Sequence, residues 1–370
     1  MLICEVKKLI NHNQVCRQMK KILEERLFLE KLMNSYSVSG FEEDALVLYE
    51  EYVKPFSKVF RDSLNNCYAV LNPSSSKRIL IEAHIDEIGF QVTYIDDMGF
   101  LYVRQNGGID CATLPGSIVE IHTSDNKVVP GVIGKRPIHV QKSDERAKVV
   151  ELEELWIDTG LSKENVLEMI SVGDVVSFRP NYFFIDENRI VSKGLDDKIG
   201  VFVIAEAIRR LSKENLHIGV CAVATVQEEV GCKGAKVCVG NIEPQMSISV
   251  DVGFATDVPN ISKKKYGDIA LGRGPVINCN TDCNREMVNI ARSVAKDAGV
   301  DVQLNANSIS TGGTNTASLQ VSSKGVKTLL LSIPNRYMHT QVEMCDLRDV
   351  ESAIELIVET ILFVNTNKLL

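Results

Sequence analysis

The sequence predicts an α/β protein in which a discontinuous α/β domain is interrupted by an inserted all-β domain. Three features predict it. From about 190 onward, short apolar runs alternate with segments of helical periodicity. Residues 88–180 lose that rhythm and become rich in Val, Ile, Gly and Asp. The stretch before 88 returns to helices and apolar strands that match the C-terminal part. At 370 residues two domains are expected, because single cores stop growing at about 250–300 residues. The expected boundaries are 26–87 with 181–370 for the α/β domain, 88–180 for the insert and 1–25 for an N-terminal extension.

Residues 15–34 space Ile22, Leu23, Leu27, Leu29 and Leu32 as on one face of an amphipathic helix. A Ser39-Gly40 turn precedes a second helix over about 41–53, which stops before Pro55. "CYAVLN" and "RILIEAHID" read as strands, the second apolar until it meets a His and an Asp. The insert follows with the short runs "FQVTYI", "FLYVRQ", "SIVEIHT", "VVPGVIGK" and "DVVSFRP". Turn signals at Asp97-Met98-Gly99 and Asn106-Gly107-Gly108 break them, which suggests a small β-barrel or sandwich. One helix is expected there, near 162–171. Beyond it come a helix over 197–212, strands at "HIGVCAVATV" and "MSISVDVGF", a helix near 284–299, a strand at "KTLLLSIP" and a last helix over 347–364.

Composition narrows the function. The net charge is -8, with 45% hydrophobic and 24% charged residues, and an acidic balance argues against nucleic acid as a partner. The run Lys263-Lys264-Lys265 reads as solvated loop. Ten cysteines are scattered with no C-x-x-C pair, and several lie in apolar runs as small hydrophobes. That usage suits a reducing compartment. No export signal and no apolar stretch of membrane-spanning length is visible, so no membrane and a cytoplasmic setting are expected.

The chemistry lies in five segments: "ILIEAHIDEIG", "SKGLDDKIG", "ATVQEEVGCKGA", "SISVDVG" and "SIPNRYMHTQVE". Each puts an acid or histidine at the end of an apolar run, and open α/β sheets gather ligands beyond the carboxyl ends of their strands. Crowded carboxylates repel and are costly to desolvate; a bound dication removes both costs. "HID" offers His84 as a ligand, with Asp86 behind it to hold the imidazole by hydrogen bonding. "LDDK" offers Asp196 and Asp197 as candidates for a carboxylate shared by two metals. "QEEVG" offers Glu228 and Glu229, of which one could bind metal while the other moves protons. Asp251 and His339 complete the set. Nitrogen and oxygen donors without thiolate suit Zn, Co or Mn. Singly, each residue has an ordinary structural reading; Asp196, for example, suits a helix cap. Together they share one setting, which His12, His122, His139 and His217 lack.

These motifs, with "AHIDEIGFQV", "GVIGKRPIHVQ", "ELWIDTG", "VGDVVSF", "KGLDDKIGVFV", "LGRGP" and "IPNRYMHTQVE", resemble the tetrahedral aminopeptidases, metallo-aminopeptidase family 42 of clan MH. That family includes glutamyl aminopeptidases and proteins labelled FrvX-like or endoglucanase. The resemblance runs from Phe28 to about Ile357, leaving the first 25 or so residues outside it, with Met19 as an alternative start. It implies a zinc-peptidase-like α/β/α catalytic domain with an inserted barrel used in dimerisation, dodecameric assembly and peptide substrates. It also implies two divalent metal ions: Asp196 bridging, Glu229 and His339 on one, His84 and Asp251 on the other. Glu228 would be the general base, Asp86 would orient His84, and the Asp196-Asp197 peptide would be cis. Two departures stand out. Asn315 in "TGGTNT" replaces the family's usual Asp, and Asp251-Val252-Gly253 replaces "DVT". Both are expected to alter the polarity of the substrate pocket. The rival readings are a catalytically silent scaffold or regulator, and a glycoside hydrolase, which leaves His84 and His339 without a purpose.

Overall fold

The computed structural model describes residues 23–143, 146, 148–306 and 313–370. Most of the expected extension, the start of the helix expected from 15, His12, Met19 and Thr311-Gly312 lie outside the described residues. A helix α1 covers 23–34, followed by α2 (Glu43–Val53), β1 (Lys58–Arg61), β2 (Cys67–Leu71) and β3 (Arg78–His84). The next strands are β4 (Gly89–Ile95), β5 (Leu101–Asn106), β6 (Ile118–His122), β7 (Val128–Gly134) and β8 (Trp156–Asp158). Then come α3 (Lys163–Met169), β9 (Val175–Phe178), β10 (Phe183–Phe184), β11 (Arg189–Ser192) and α4 (Leu195–Leu211). The chain continues through β12 (Gly219–Thr225), α5 (Lys233–Ile242), β13 (Met246–Phe254), α6 (Lys263–Tyr266) and β14 (Val276–Asn278). It ends with α7 (Arg285–Ala298), β15 (Gln303–Asn305), α8 (Asn315–Gln320), β16 (Lys327–Asn335), β17 (Glu343–Asp346) and α9 (Leu347–Thr366).

Continuous apolar runs such as "GVCAVAT" are buried along their whole length, which happens only to strands covered on both faces. They form the centre of an eight-stranded sheet, in the order β1-β2-β12-β3-β13-β16-β14-β15. Strands β12, β3, β13 and β16 are mutually parallel, so their carboxyl ends share one edge. Alternate residues face opposite layers. Ile79, Ile81 and Ala83 join the core under α1, α2, α4, α7 and α9, whereas Leu80 joins Cys221 and Val223 under α5 and Leu319 of α8. The result is the α/β/α sandwich of a zinc-peptidase-like fold.

In the insert the runs alternate instead: along β7, Val129, Gly131 and Ile133 are buried while Val128, Pro130 and Val132 are exposed. That period suits strands with one dry face. The six strands β4-β5-β8-β7-β6-β9 close into a barrel around Phe90, Val119, Ile121 and Ile157. A barrel, not a sandwich, resolves the choice that strand patterning left open.

Two readings are corrected. Lys263–Tyr266 is a one-turn helix, not loop, because Lys265 and Tyr266 N–H groups both reach back to the Ser262 carbonyl. Asp251 lies inside β13, not beyond it, because β13 and β16 pair on to Phe254 and Asn335.

Candidate metal centre

His84 is the last residue of β3, and Asp251 faces Ser332 across the β13–β16 ladder. Glu228 and Glu229 lie in the turn between β12 and α5, His339 in the turn after β16, and Asp196 in the first turn of α4. The Asp196-Asp197 peptide is cis. Neither Asp196 nor Asp197 has helical angles, so the regular helix begins after them. His84, Asp196, Glu228, Glu229, Asp251 and His339 converge on the carboxyl edge of the sheet and line one cavity of about 740 Å³, which Asp197 does not line.

Asp196 is the hinge of the arrangement. Its Oδ1 lies 3.1 Å from His84 Nε2, and its Oδ2 lies 3.1 Å from His339 Nε2. Asp251 Oδ1 is 3.7 Å from His84 Nε2, and Glu229 Oε1 is 3.5 Å from His339 Nε2. One carboxylate therefore spans two clusters. By donor spacing alone the clusters are His84, Asp197 and Asp251, and Asp196, Glu229 and His339, each with donors within 4.8 Å of one another. Asp197 competes with Asp196 for the first cluster. Its Oδ1 accepts the Gly200 amide at 3.2 Å, which ties one of its two oxygens to the helix.

A second layer fixes these side chains. His84 Nδ1 lies 3.0 Å from the backbone carbonyl of Asp86, nearer than the Asp86 carboxylate at 3.5 Å. Asp86 thus faces the ring with both its backbone carbonyl and its carboxylate. Buried Asp86 also accepts the Glu228 amide at 2.9 Å, the Glu229 amide at 3.1 Å and the Ser39 hydroxyl at 2.6 Å. It positions the Glu228-Glu229 turn. Glu343, absent from the sequence reading, accepts the Asp196 amide at 2.8 Å and the His339 amide at 2.9 Å. Its only sequence signal is an acid four residues after His339.

The electrostatics are those of a site with more buried carboxylate than its imidazoles balance. Burial lifts Glu228 to about 8 against the pull of His84, and it lifts Glu229 well above the usual carboxyl range. Burial likewise raises Asp251 and Asp197. Burial would lower His84, but Asp196, Asp251 and Asp86 outweigh it and raise the ring well above an ordinary imidazole. The same contest, won by Asp196 and Glu229, carries His339 to about 10. Burial would raise Asp196, yet the two rings hold it below its ordinary value.

The residues fit divalent metal. Asp196 Oδ1, Asp197 Oδ2 and Glu229 Oε1 are buried and accept no well-formed hydrogen bond. Orphaned buried oxygens are costly, and a dication is the partner that satisfies several at once. The donors are imidazole nitrogen and carboxylate oxygen, the set that suits zinc, cobalt or manganese.

Residues 65–356 match the sequence profile of the M42 glutamyl aminopeptidases. The chain belongs to the M42 glutamyl aminopeptidase family. A lysyl aminopeptidase of Pyrococcus furiosus is 34% identical to it over 335 residues, covering 89% of this chain and 94% of the relative. A TET aminopeptidase from a marine-sediment Thaumarchaeota archaeon superposes with a TM-score of 0.88 at 31% identity, over 92% of this chain and 96% of that one. The Pyrococcus horikoshii TET1 peptidase, which can assemble into a tetrahedron or a large octahedral shell, gives 0.81 at 32% identity, over 90% and 98%. As an M42 member the chain is a peptidase, and the glycoside-hydrolase reading falls away.

The two departures from the M42 pattern now separate. Gly253 lines the cavity, and a methyl added there would meet Ser332 Cβ at 2.8 Å, so the usual Thr would not fit. Asn315 lies beneath the site, not in the pocket: its Nδ2 donates to Glu82 at 2.8 Å and to Thr225 at 2.9 Å. The expectation that it alters pocket polarity is corrected, because α8 turns it inward. No helix among the described residues is long and apolar enough to cross a membrane.

Proposed function

We propose that this chain removes N-terminal residues from peptides by attack of water at a two-metal centre, with Glu228 as general base. His84 and Asp251 would hold one ion, Glu229 and His339 the other, with Asp196 placed to serve both. The observation that carries this reading is the pair of 3.1 Å approaches by which the two oxygens of Asp196 meet different histidines. Bound there, zinc, cobalt or manganese supplies Lewis acidity and brings the pKa of water towards about 7.

The protein supplies the rest. Glu228 lines the cavity but lies on neither histidine, so its carboxylate is free for proton work. It takes the proton of the attacking water and returns it to the leaving amine. Asp86 holds its backbone, and the Cys232 thiol donates to its Oε1 at 3.4 Å, so the base is aimed from both ends. Burial lifts Glu228 to about 8 against the pull of His84, which makes it a stronger base than an exposed carboxylate.

Peptides are the substrates, and the barrel serves self-association. Ile118 and Val132 are paired across β6 and β7 and both face outward, an apolar surface suited to a second copy. Such assembly, from dimer to dodecamer, is in line with the tetrahedron and octahedral shell named for the Pyrococcus horikoshii peptidase. The described cysteines are all free thiols, in keeping with a cytoplasmic setting.

Glu228→Gln tests the mechanism. Bound metal is expected to remain, and kcat on amino-acid p-nitroanilides to fall by about 10²–10⁴-fold. Near-normal turnover would remove Glu228 from the role. Silence of the unsubstituted protein on the whole aminoacyl panel, after loading with Zn, Co or Mn in turn, would favour the scaffold.

A further inference from the structure

The insert reaches the metal centre at one turn. Strand β5 ends at Asn106, and the following Gly107-Gly108 lies over the Glu229 and His339 side. The Gly108 carbonyl oxygen is 2.6 Å from His339 Nδ1. The carbonyl accepts the Nδ1–H of the ring and so fixes the ring with Nε2 facing Asp196 and Glu229. Gly107 packs on Glu229 itself. Its φ is +87°, and a methyl added there would sit 2.7 Å from Ile88 Cγ2, 3.0 Å from Glu229 Oε2 and 3.3 Å from Glu229 Cβ. Buried Asn106 donates to the Ser39 carbonyl at 3.4 Å, and the Ser39 hydroxyl in turn supports Asp86 beneath the Glu228-Glu229 turn. The other cluster, His84 with Asp196 and Asp251, is built from β3, α4 and β13 of the α/β domain alone.

We infer that the Asn106-Gly107-Gly108 turn of the barrel is a positioning element that completes the Glu229/His339 half of the centre, so that filling this half depends on how the barrel is seated. The inference rests on the two-ion reading. It makes the halves unequal: the His84/Asp251 half stands without the barrel, and the other does not. Because the coupling is reciprocal, an ion in the second half also steadies the turn. The barrel that presents the self-association surface is thereby tied to the reactive centre.

Two substitutions separate this from simple damage to the barrel. Gly116 has a φ of +92° in the same insert, and a methyl added there meets nothing within 4 Å. Gly107→Ala and Gly116→Ala thus carry the same left-handed penalty, but only the first drives a methyl onto Glu229. Zinc bound per chain is measured by calorimetry and elemental analysis, with circular dichroism and melting to compare the folds. The expected result is two ions for the unsubstituted protein, one for Gly107→Ala and two for Gly116→Ala. Two ions of unchanged affinity in Gly107→Ala would overturn the inference while leaving the two-ion reading intact. Fewer than two in the unsubstituted protein would instead sink that reading and the inference with it. If Gly107→Ala does not fold, hydrogen exchange on the unsubstituted protein decides. Exchange across residues 104–109 is expected to slow with the second equivalent of zinc and not with the first, and unchanged exchange overturns the inference.

Discussion

Glu343 shows how much of the centre depends on one residue that touches no substrate. It is fully buried and receives the backbone amides of two proposed ligands from different elements. One of them, His339, has a φ of +61°, a left-handed conformation that costs a non-glycine residue about 1–2 kcal/mol. The Glu343 carboxylate and the Gly108 carbonyl hold it there. Removing the carboxylate strands two buried amides, at about 1–3 kcal/mol each, and frees the histidine to relax. Glu343→Ala is therefore expected to cost about 2 kcal/mol or more in denaturant unfolding. It should also weaken zinc about 10–100-fold in chelator competition, as losses behind metal ligands do. A variant that loses stability but keeps its zinc affinity would show Glu343 to be structural only. The proposed ligands stand out in the sequence because they fall at or near the ends of apolar runs. Glu343 does not, since an acid inside "VEMCD" looks like any other until its partners are known.

At the scale of elements, a buried ion cluster ties α1, β3 and α4 together. Glu87 lies three residues past the end of β3, with Oε1 at 2.6 Å from Lys193 and Oε2 at 3.1 Å from Lys198. Both ammonium groups also donate to the Ser35 carbonyl at 2.8 Å, just past α1. The cluster locks the loop bearing Asp86 against the turn that leads to Asp196. Breaking a buried pair by removing one partner costs about 3–5 kcal/mol, because it leaves charge uncompensated. Glu87→Gln is expected near the lower end, about 3 kcal/mol. Burial, aided by Lys193, already pushes Lys198 down to about 7, so its amine can lose the proton when Glu87 is neutral. A loss under about 1 kcal/mol in urea unfolding would mean that the cluster is not a tie. Sequence periodicity placed α4 and β3 but could not pair Glu87 with Lys193, because that contact joins residues 106 apart.

For the whole molecule, the question is how the barrel is held to the α/β domain. One contact is His122 of β6, whose ring stacks on Tyr36 with centroids 3.6 Å apart and whose Nε2 meets Ser177 Oγ at 2.8 Å. Burial, helped by the charge of Lys193, pushes His122 down to about 4, whereas an unfolded histidine titrates at about 6.5. The unfolded chain thus takes up a proton first. The contribution of His122 is complete above about pH 6.5 and is lost as pH falls towards about 4. His122→Phe keeps a ring for Tyr36 without that titration. Its melting temperature is expected to fall less than that of the unsubstituted protein between about pH 7 and about pH 4.5. Equal losses in the two proteins would remove His122 as the cause.

The sequence by itself determined the fold class and the candidate donors that the fold gathers at one sheet edge. Each of these is written locally, in a period of two or of 3.6 and in the polar residue that ends an apolar run. Only the tertiary structure decided that Asp196 faces two histidines, that Asp86 supports the glutamate turn, and that Asn315 lies under the site. The antiparallel pairing of β14 with β16 and the small sheet β10-β11-β17 were likewise decided there. These facts depend on pairings between distant segments, and a one-dimensional pattern holds no distances. The turn at Asn106-Gly107-Gly108 lies on that boundary. Its glycines announced a turn from sequence alone, but only the closed barrel and its seat on the sheet brought that turn against Glu229 and His339.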